Sequence, residues 1–184
     1  MSSSAENDAL VFWFTGLSGS GKTTIATSVA DHIRKMGKQA KIFDGDDVRN
    51  ILHRHLGFTP EDITENNRLI AHICVQHQKK ADCILVPVIS PFEKTRKEAR
   101  TIIGGRFVEV YVKASLDEVI RRDVKGLYEK AINGRIENFI GISGNVPYEE
   151  PRDPDIVLDT EKLTVKACAS ALMTYVQKDW KRRG

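Results

Sequence analysis

The chain has 184 residues, of which 28 are basic and 25 acidic, and its formal net charge is +3 at pH 7. This length suits a single compact domain spanning residues 1–184. The nearly equal numbers of basic and acidic residues argue against nucleic acid as a partner. No apolar run is long enough to cross a bilayer, so we also expect no membrane partner.

The N-terminal segment and the cysteines bear on the compartment. Residues 1–8 have neither a basic start nor an apolar stretch, which favours a short disordered lead over a signal peptide. Cys74, Cys83 and Cys168 are widely spaced and include no Cys-x-x-Cys pair, so buried thiols are expected. We therefore predict a cytoplasmic protein.

A glycine-rich segment follows the first predicted strand, which is the apolar run from Leu10 to Phe14. Its sequence, GLSGSGKT at 16–23, fits G-x-x-x-x-G-K-[ST]. Between a strand and a helix, such glycines let backbone N–H groups face one point and cradle the phosphates of a nucleoside triphosphate. Lys22 would reach the β and γ phosphates, and the Thr23 hydroxyl would coordinate Mg²⁺. The predicted cradle consists of Gly16, Ser18, Gly19, Ser20, Gly21, Lys22, Thr23 and Thr24.

The next elements place carboxylates beside the cradle. Apolar residues at helical spacing predict a helix that ends at Gly37, and a strand over 40–43 follows it. That strand runs into DGDD at 44–47, at the edge of the sheet where open α/β proteins bind ligands. A short helix is predicted over 48–56, and Thr64 is the predicted N-cap of a longer one.

The middle of the chain alternates between strands and helices. The apolar run over 83–89 predicts a strand buried on both faces, with Pro87 near its end. A charged helix over 93–103 and a strand over 106–112 follow, and Ser115 opens a capping box. Strands separated by helices indicate an α/β fold with a mostly parallel sheet flanked by helices on both faces.

The last third of the chain begins with an irregular segment. Periodicity is lost over about 125–154 while glycines and prolines accumulate, and we interpret part of this segment as a lid. A short strand over 156–158 and a helix over 164–176 complete the chain. The residues predicted to face inward from that helix are Val165, Cys168, Leu172, Met173 and Val176.

A phosphate cradle alone does not separate a GTPase, a motor ATPase and a small-molecule kinase. The chain has no Asp-x-x-Gly after a strand and no Asn-Lys-x-Asp, which a GTPase would use. A motor ATPase would be longer and would carry an acidic residue where this chain has Ser90. Phosphoryl transfer to a small acceptor held under a lid is therefore favoured.

Several segments together resemble the adenylylsulfate (APS) kinases, from about Val11 to Thr160. They stand in the family's order at 16–24, 44–49, 56–58, 65–66, 89–91, 122–128, 141–142 and 147–149. The resemblance implies a P-loop NTPase fold and a role in sulfate assimilation. It also implies transfer of the γ-phosphoryl group of ATP, with Mg²⁺, to the ribose 3′-hydroxyl of adenosine 5′-phosphosulfate, giving PAPS and ADP.

The resemblance also implies residue roles. Asp46, Lys22 and Lys125 would be catalytic, with Asp46 against the acceptor hydroxyl and Lys125 brought in by the lid. Phe58 and Phe139 would sandwich the acceptor base. A homodimer is left open, because dimers are common in the family. The implied acceptor-binding residues are Asp44, Asp46, Arg49, Phe58, Asn66, Ile89, Ser90, Lys125 and Phe139.

Other interpretations remain open for these residues. Asp44 or Asp46 is also suited to capping a turn, Phe58 and Phe139 to a core, and Ser90 to a strand-end turn. The intact cradle and carboxylates argue against a non-catalytic nucleotide-binding module.

Four positions depart from the family's usual pattern. Ile63 and Leu69 stand where arginines are usual, Glu137 where lysine is common, and Ile140 where threonine is usual. The lost positive charges motivate an alternative acceptor for the same fold and donor, such as cytidine diphosphoramidate.

Overall fold

The computed structural model describes residues 8–51 and 53–182. Residues 1–7 of the predicted disordered lead and Leu52 of the predicted short helix therefore lie outside the described residues. Within the two described ranges, five strands form one parallel sheet: β1 (Leu10–Thr15), β2 (Ala40–Ile42), β3 (Cys83–Pro87), β4 (Phe107–Lys113) and β5 (Ile156–Asp159). Their order in the sheet is β2-β3-β1-β4-β5.

The helices complete an α/β architecture. Within the described residues they are α1 (Lys22–Lys35), α2 (Gly45–Ile51), α3 (Pro60–His77), α4 (Glu93–Ile103), α5 (Leu116–Arg122), α6 (Leu127–Ile132) and α7 (Val165–Lys181), with a 3₁₀ turn at Gln78–Lys80. Apolar residues of α1 and α7 pack on one face of the sheet, and those of α3 and α4 pack on the other. The predicted fold class is confirmed.

The central strand explains why both faces of the sheet are covered. All six residues of β1 are buried. Phe12 and Phe14 belong to the core shared with α1 and α7, whereas Val11 and Trp13 belong to the core shared with α3 and α4. Successive side chains of a strand point to opposite faces, so a fully apolar strand requires a helix layer on each side. The cradle after β1 consequently lies at the centre of the carboxyl edge.

Two helix starts differ from the sequence-based predictions. The helix predicted over 48–56 begins earlier, at Gly45, and ends at Ile51. The N-cap predicted at Thr64 is wrong: α3 begins after Thr59, whose side chain accepts a hydrogen bond from the Asp62 N–H. Proline at the first helical position makes Thr59-Pro60 the stronger start, because that position needs no N–H donor. Thr64 instead donates to the Pro60 carbonyl from inside the helix.

The end of the chain is more helical than predicted. α6 lies inside the segment predicted to be irregular, and α7 continues past residue 176 to Lys181. Four of the five residues predicted to face inward from α7 are buried, but Val165 is 43% exposed because it occupies the first helical position. The three cysteines are free and buried, as predicted. Among the described residues, no helix has both the length and the apolarity that crossing a membrane requires.

Candidate active site at the carboxyl edge of the sheet

The loop over 16–21 joins β1 to α1 and has the backbone shape of a phosphate cradle. Gly16, Gly19 and Gly21 have φ angles of 147°, 77° and 101°, which side chains rarely allow. A Cβ atom on Gly16 would lie 2.4 Å from the carbonyl oxygen of Val112, so the loop passes directly over β4. The first N–H groups of α1 have no partner within the helix, which makes this end favourable for a phosphate.

Lys22 is the cation of the cradle. Its side chain is buried, and its ammonium donates to the carbonyl oxygens of Gly16 and Leu17, each at 2.8 Å. Burial lowers the pKa of Lys22 to about 7, while Asp46 and Asp44 act in the opposite direction. Phosphate groups in the cradle would stabilise the charged form and supply stronger acceptors than the two carbonyls.

The serines of the cradle and Thr24 have different surroundings. The Ser20 hydroxyl is buried and has no hydrogen-bond partner within the described part of the chain. The Ser18 carbonyl accepts a hydrogen bond of 2.8 Å from the Tyr128 hydroxyl, which lies in the predicted lid. Thr24 is exposed in the first turn of α1. The cradle therefore contacts the predicted lid through its backbone.

Asp44 connects the cradle to α2. Its Oδ2 atom accepts a hydrogen bond of 2.7 Å from the Thr23 hydroxyl, and its Oδ1 atom accepts one of 3.0 Å from the Asp46 N–H. The sequence-based prediction assigns Asp44 to the acceptor and gives only Thr23 a role with a metal. A hydroxyl and a carboxylate side by side are oxygen ligands of the kind that Mg²⁺ prefers. Asp44 consequently fits a position between the phosphates and the acceptor.

Asp46 lies opposite the predicted lid. Its Oδ2 atom is 3.1 Å from the Lys125 ammonium, and both side chains are well exposed. An exposed ion pair of this kind is worth only about 0–1 kcal/mol, so both groups remain available to other partners. The two residues predicted to be catalytic on the acceptor side are thus brought together.

A hollow beside Asp46 is the candidate acceptor site. It has a volume of about 50 Å³ and lies between α2, α3, the turn after β3 and the predicted lid. Its wall consists of Gly45, Asp46, Arg49, Phe58, Ile63, Asn66, Asn67, Val88, Ile89, Ser90, Pro91 and Ile140. Most of the residues that the sequence assigns to the acceptor therefore line one hollow.

The two predicted base-stacking aromatics lie in different surroundings. Phe58 is 53% exposed, and the Arg49 guanidinium carbon is 4.6 Å from its ring centroid. Phe139 packs edge-on against Tyr128, with ring centroids 5.0 Å apart, and its neighbour Ile140 is the residue that lines the hollow. Phe58 is therefore free to stack on a base, and the stacking role of Phe139 stays a prediction.

Buried polar side chains hold the floor of the hollow. Asn66 is buried, and its Oδ1 atom is 2.8 Å from His53 Nδ1. Ser90 is also buried and has a φ of 45°, and its hydroxyl accepts a hydrogen bond of 3.2 Å from Asn67 Nδ2. A non-glycine residue in this conformation costs about 1–3 kcal/mol and persists only where its surroundings hold it. Ile89 precedes this turn and also lines the hollow.

Two of the four unusual positions meet in space. Ile63 of α3 and Ile140 of the predicted lid are 3% and 9% exposed and form one apolar cluster with Val146. Leu69 is half-buried, and Glu137 is exposed. An apolar contact thus joins α3 to the predicted lid at the side of the hollow.

A family described as "Adenylylsulphate kinase" matches residues 8–159 of this chain. The chain belongs to the adenylylsulfate kinase family. An adenylyl-sulfate kinase of Halothermothrix orenii is 47% identical over 169 residues, covering 90% of this chain and 88% of that protein. A probable adenylyl-sulfate kinase of Aeropyrum pernix is 44% identical over 171 residues, covering 91% and 92%. The family is one of ATP-dependent kinases.

A solved structure has the same architecture. The APS kinase of Mycobacterium tuberculosis, in complex with AMPPNP and APS, superposes with a TM-score of 0.88 at 35% identity. The match covers 92% of this chain and 98% of that one. This likeness shows that the present chain has the P-loop kinase fold, in agreement with the sheet order and the phosphate cradle described above.

Sequence reasoning missed several residues that build the site. Thr15 donates a hydrogen bond of 2.7 Å to the Ile89 carbonyl and lies 3.0 Å from the Tyr148 hydroxyl. Arg96, on α4, donates to the Ser90 carbonyl at 2.8 Å. The Pro147-Tyr148-Glu149 segment was a signal for Tyr148, but Arg96 had none, because it lies in a run of charged residues typical of an exposed helix.

Proposed function

We propose that this protein transfers the γ-phosphoryl group of ATP to the ribose 3′-hydroxyl of adenosine 5′-phosphosulfate, giving PAPS and ADP. The observation that carries the proposal is the hydrogen-bonded series from Thr23 through Asp44 to Asp46. It joins a triphosphate cradle on one side to a hollow with a carboxylate at its mouth on the other. Membership of the adenylylsulfate kinase family supports the choice of acceptor.

On the donor side, backbone N–H groups of the cradle and the Lys22 ammonium hold the triphosphate. Lys22 would exchange its two carbonyl acceptors for the β and γ phosphate oxygens. We propose Thr23 and Asp44 as the residues that hold Mg²⁺, because together they offer a hydroxyl and a carboxylate. A Mg²⁺ held there would supply positive charge that offsets the negative charge developing on the transferring phosphoryl group.

On the acceptor side, Asp46 holds the sugar hydroxyl. The hydroxyl oxygen forms a bond to the γ-phosphorus while the bond from that phosphorus to the bridging oxygen of ADP breaks. The hydroxyl proton passes to the Asp46 carboxylate. Since phosphoryl transfer is largely dissociative, the main contribution of Asp46 is to position the oxygen in line.

The base and lid contacts follow from the wall of the hollow. Phe58, backed by Arg49, offers an exposed ring for the acceptor base, and Asn66 lines the same hollow with its Oδ1 atom held 2.8 Å from His53 Nδ1. We propose that residues 125–154 act as the lid of a single domain. A homodimer and a cytoplasmic location stay predictions.

An acceptor panel tests the proposed reaction. With Mg²⁺ and ATP, we expect ADP to form only when a nucleotide acceptor is added, with kcat/KM highest for APS. Cytidine diphosphoramidate is the alternative acceptor to compare with APS. Ile63 and Ile140 form an apolar contact on one side of the hollow, so these two positions supply no positive charge for the phosphosulfate group of APS. The ratio of the two kcat/KM values measures discrimination.

The panel has outcomes that would overturn the proposal. A higher kcat/KM for cytidine diphosphoramidate would reassign the acceptor while keeping the reaction class. Equal ADP release with and without every acceptor would indicate an ATPase. ATP binding without turnover of any acceptor would favour a non-catalytic nucleotide-binding module.

Lys125 is expected to act on the transferring group. We expect Lys125→Met to lower kcat for APS about 10²–10³-fold, because one donor to developing charge is lost from the closed site. ATP affinity, measured by calorimetry, should change little, since Lys125 pairs with Asp46 and not with the cradle. Lys130→Met is the control, because Lys130 is an exposed lysine of α6 in the same segment. An equal loss in both variants would point to a general charge effect.

A further inference from the structure

A buried guanidinium lies under the junction between the acceptor hollow and the predicted lid. Arg96 of α4 is 2% exposed. Its Nη1 atom donates to the Ser90 carbonyl at 2.8 Å, and its Nη2 atom donates to the Glu149 carbonyl at 2.9 Å. Its Nε atom is 2.9 Å from Oε1 of Glu109 on β4. One side chain therefore contacts the turn after β3, the end of the predicted lid and the sheet.

The same two segments are also joined directly. The Glu149 N–H donates to the Pro91 carbonyl at 2.9 Å, and the Glu149 carboxylate accepts from the Glu93 N–H at 2.7 Å. One residue earlier, the Tyr148 hydroxyl lies 3.0 Å from that of Thr15. We define residues 148–149 as the lid foot. It is fastened to the start of α4 and to the end of β1.

The turn that Arg96 holds is strained. Ser90 has a φ of 45°, and its carbonyl accepts a hydrogen bond from Arg96 and lies 3.1 Å from the Thr15 hydroxyl, whose shorter contact is with the Ile89 carbonyl. Such a conformation is maintained only by surrounding contacts. Two of those contacts act on the same carbonyl, and one of them comes from the guanidinium that also holds the lid foot.

We infer that Arg96 is a positioning residue for the acceptor. It fixes the Ser90 turn relative to the lid foot, so that the wall of the hollow and the lid keep one geometry during transfer. This inference rests on the proposed function in one respect: the hollow that Ser90 lines is the acceptor site. The Glu109 carboxylate compensates the buried charge of Arg96. The pKa of Glu109 is raised, because the effect of burial outweighs the lowering effect of Arg96 and Arg100.

Arginine is suited to this task in a way that lysine is not. The two carbonyls and the carboxylate are approached by three different nitrogens of one planar group. An ammonium at the same place would be a single point charge on a flexible stem. Arg96→Lys should therefore fail to restore the acceptor KM even though it keeps the charge.

The test separates positioning from stability. Arg96→Met alone leaves Glu109 buried without its closest partner, and we expect a lower Tm. In Arg96→Met/Glu109→Met the charge pair is replaced by apolar side chains, and Tm should return to within about 3 °C of the wild type. The N–H groups that donate to the Ser90 and Glu149 carbonyls are still missing, so KM for APS should stay raised, with kcat/KM lowered about 10²-fold. KM for ATP should remain near the wild-type value.

Hydrogen exchange gives a readout that needs no acceptor. In the double variant, the amide protons of Glu93 and Glu149 should exchange faster, because the lid foot and the turn separate more often. Arg100→Met is the control: Arg100 lies one turn further along α4, pairs with Asp155 at 2.6 Å and lies 3.6 Å from Glu109, but among the described residues it makes no hydrogen bond to the Ser90 turn. We expect unchanged exchange at both amides in that variant.

The outcomes decide the two proposals separately. A double variant that recovers Tm, acceptor kcat/KM and amide protection would overturn the positioning role and leave Arg96 a structural residue. If no nucleotide acceptor is turned over by the wild type, the proposed function fails, and the exchange data alone decide whether Arg96 couples the two segments. Raised acceptor KM with faster exchange at both amides supports the inference.

Discussion

Asp46→Asn is expected to lower kcat for APS about 10²–10⁴-fold, because asparagine holds the acceptor hydroxyl in line less firmly than a carboxylate does and cannot accept its proton. The Asp46 side chain is exposed at the mouth of the hollow, and its contact is with Lys125. Its backbone N–H, which bonds Asp44, is unaffected by the substitution. ATP affinity should therefore fall much less than kcat, since Asp46 acts on the cradle only through its charge, which raises the pKa of Lys22. Steady-state PAPS formation and calorimetric titration with an ATP analogue measure the two quantities.

The neighbouring aspartate supplies the control. Asp47 is an exposed carboxylate in the same first turn of α2, so Asp47→Asn changes the net charge and the helix start by the same amount. It should keep wild-type kcat. A loss of ATP binding in Asp46→Asn would assign Asp46 to the donor side. Equal losses in the two variants would mean that the negative charge near the helix start matters, and not the position of one carboxylate.

The donor side of the site could be predicted from sequence because its chemistry depends on local backbone. The cradle is predicted from fourteen residues that contain a strand, three glycines, a lysine and a threonine. The observed β1, the loop after it and α1 agree with that prediction. α4 was predicted with its observed bounds, since charged helical residues end at two glycines. Local signals of this kind require no knowledge of the tertiary contacts.

The acceptor side depends on contacts between distant segments. Arg96 and Glu109 are 13 positions apart, and each lies in a segment whose sequence also suits a solvent-exposed face. The contacts of Thr15 with the Ile89 carbonyl and the Tyr148 hydroxyl cross even longer separations. Such pairs follow from how α4 and the lid foot pack on the sheet, which periodicity does not determine.

The unusual residues Ile63 and Ile140 illustrate the same limit. In the sequence they are two separate departures, each of which removes a polar group. In the structure they belong to one cluster with Val146, joining α3 to the predicted lid. The polar contacts that those positions would otherwise supply are thus replaced by a buried apolar one. In the proposed function, discrimination between acceptors would then depend on Arg49, Lys125 and the Ser90 turn, which are still polar.

Gly16→Ala is expected to abolish nucleotide binding, with at least about a 10²-fold loss of ATP affinity, because the cradle must move away from its N–H geometry. Its Cβ atom would lie 2.4 Å from the Val112 carbonyl oxygen and 2.9 Å from Ser20 Oγ. The carbonyl belongs to β4 in the middle of the sheet, so the loop must shift instead. Calorimetry with an ATP analogue and thermal unfolding of each variant measure the effect.

Two glycines separate the clash from backbone strain. Gly37 has a φ of 75°, and an added methyl group there would meet no heavy atom within 4 Å, so Gly37→Ala carries only the strain, about 1–2 kcal/mol. Gly105 has open space and no such φ, so Gly105→Ala carries neither. Both controls should bind ATP like the wild type, although Gly37→Ala should unfold at a lower temperature. Lower stability with normal ATP affinity in Gly16→Ala, as expected for Gly37→Ala, would contradict the prediction. It would mean that the loop can shift while its N–H groups keep their geometry, so ATP binding would not depend on the close approach of the loop to β4.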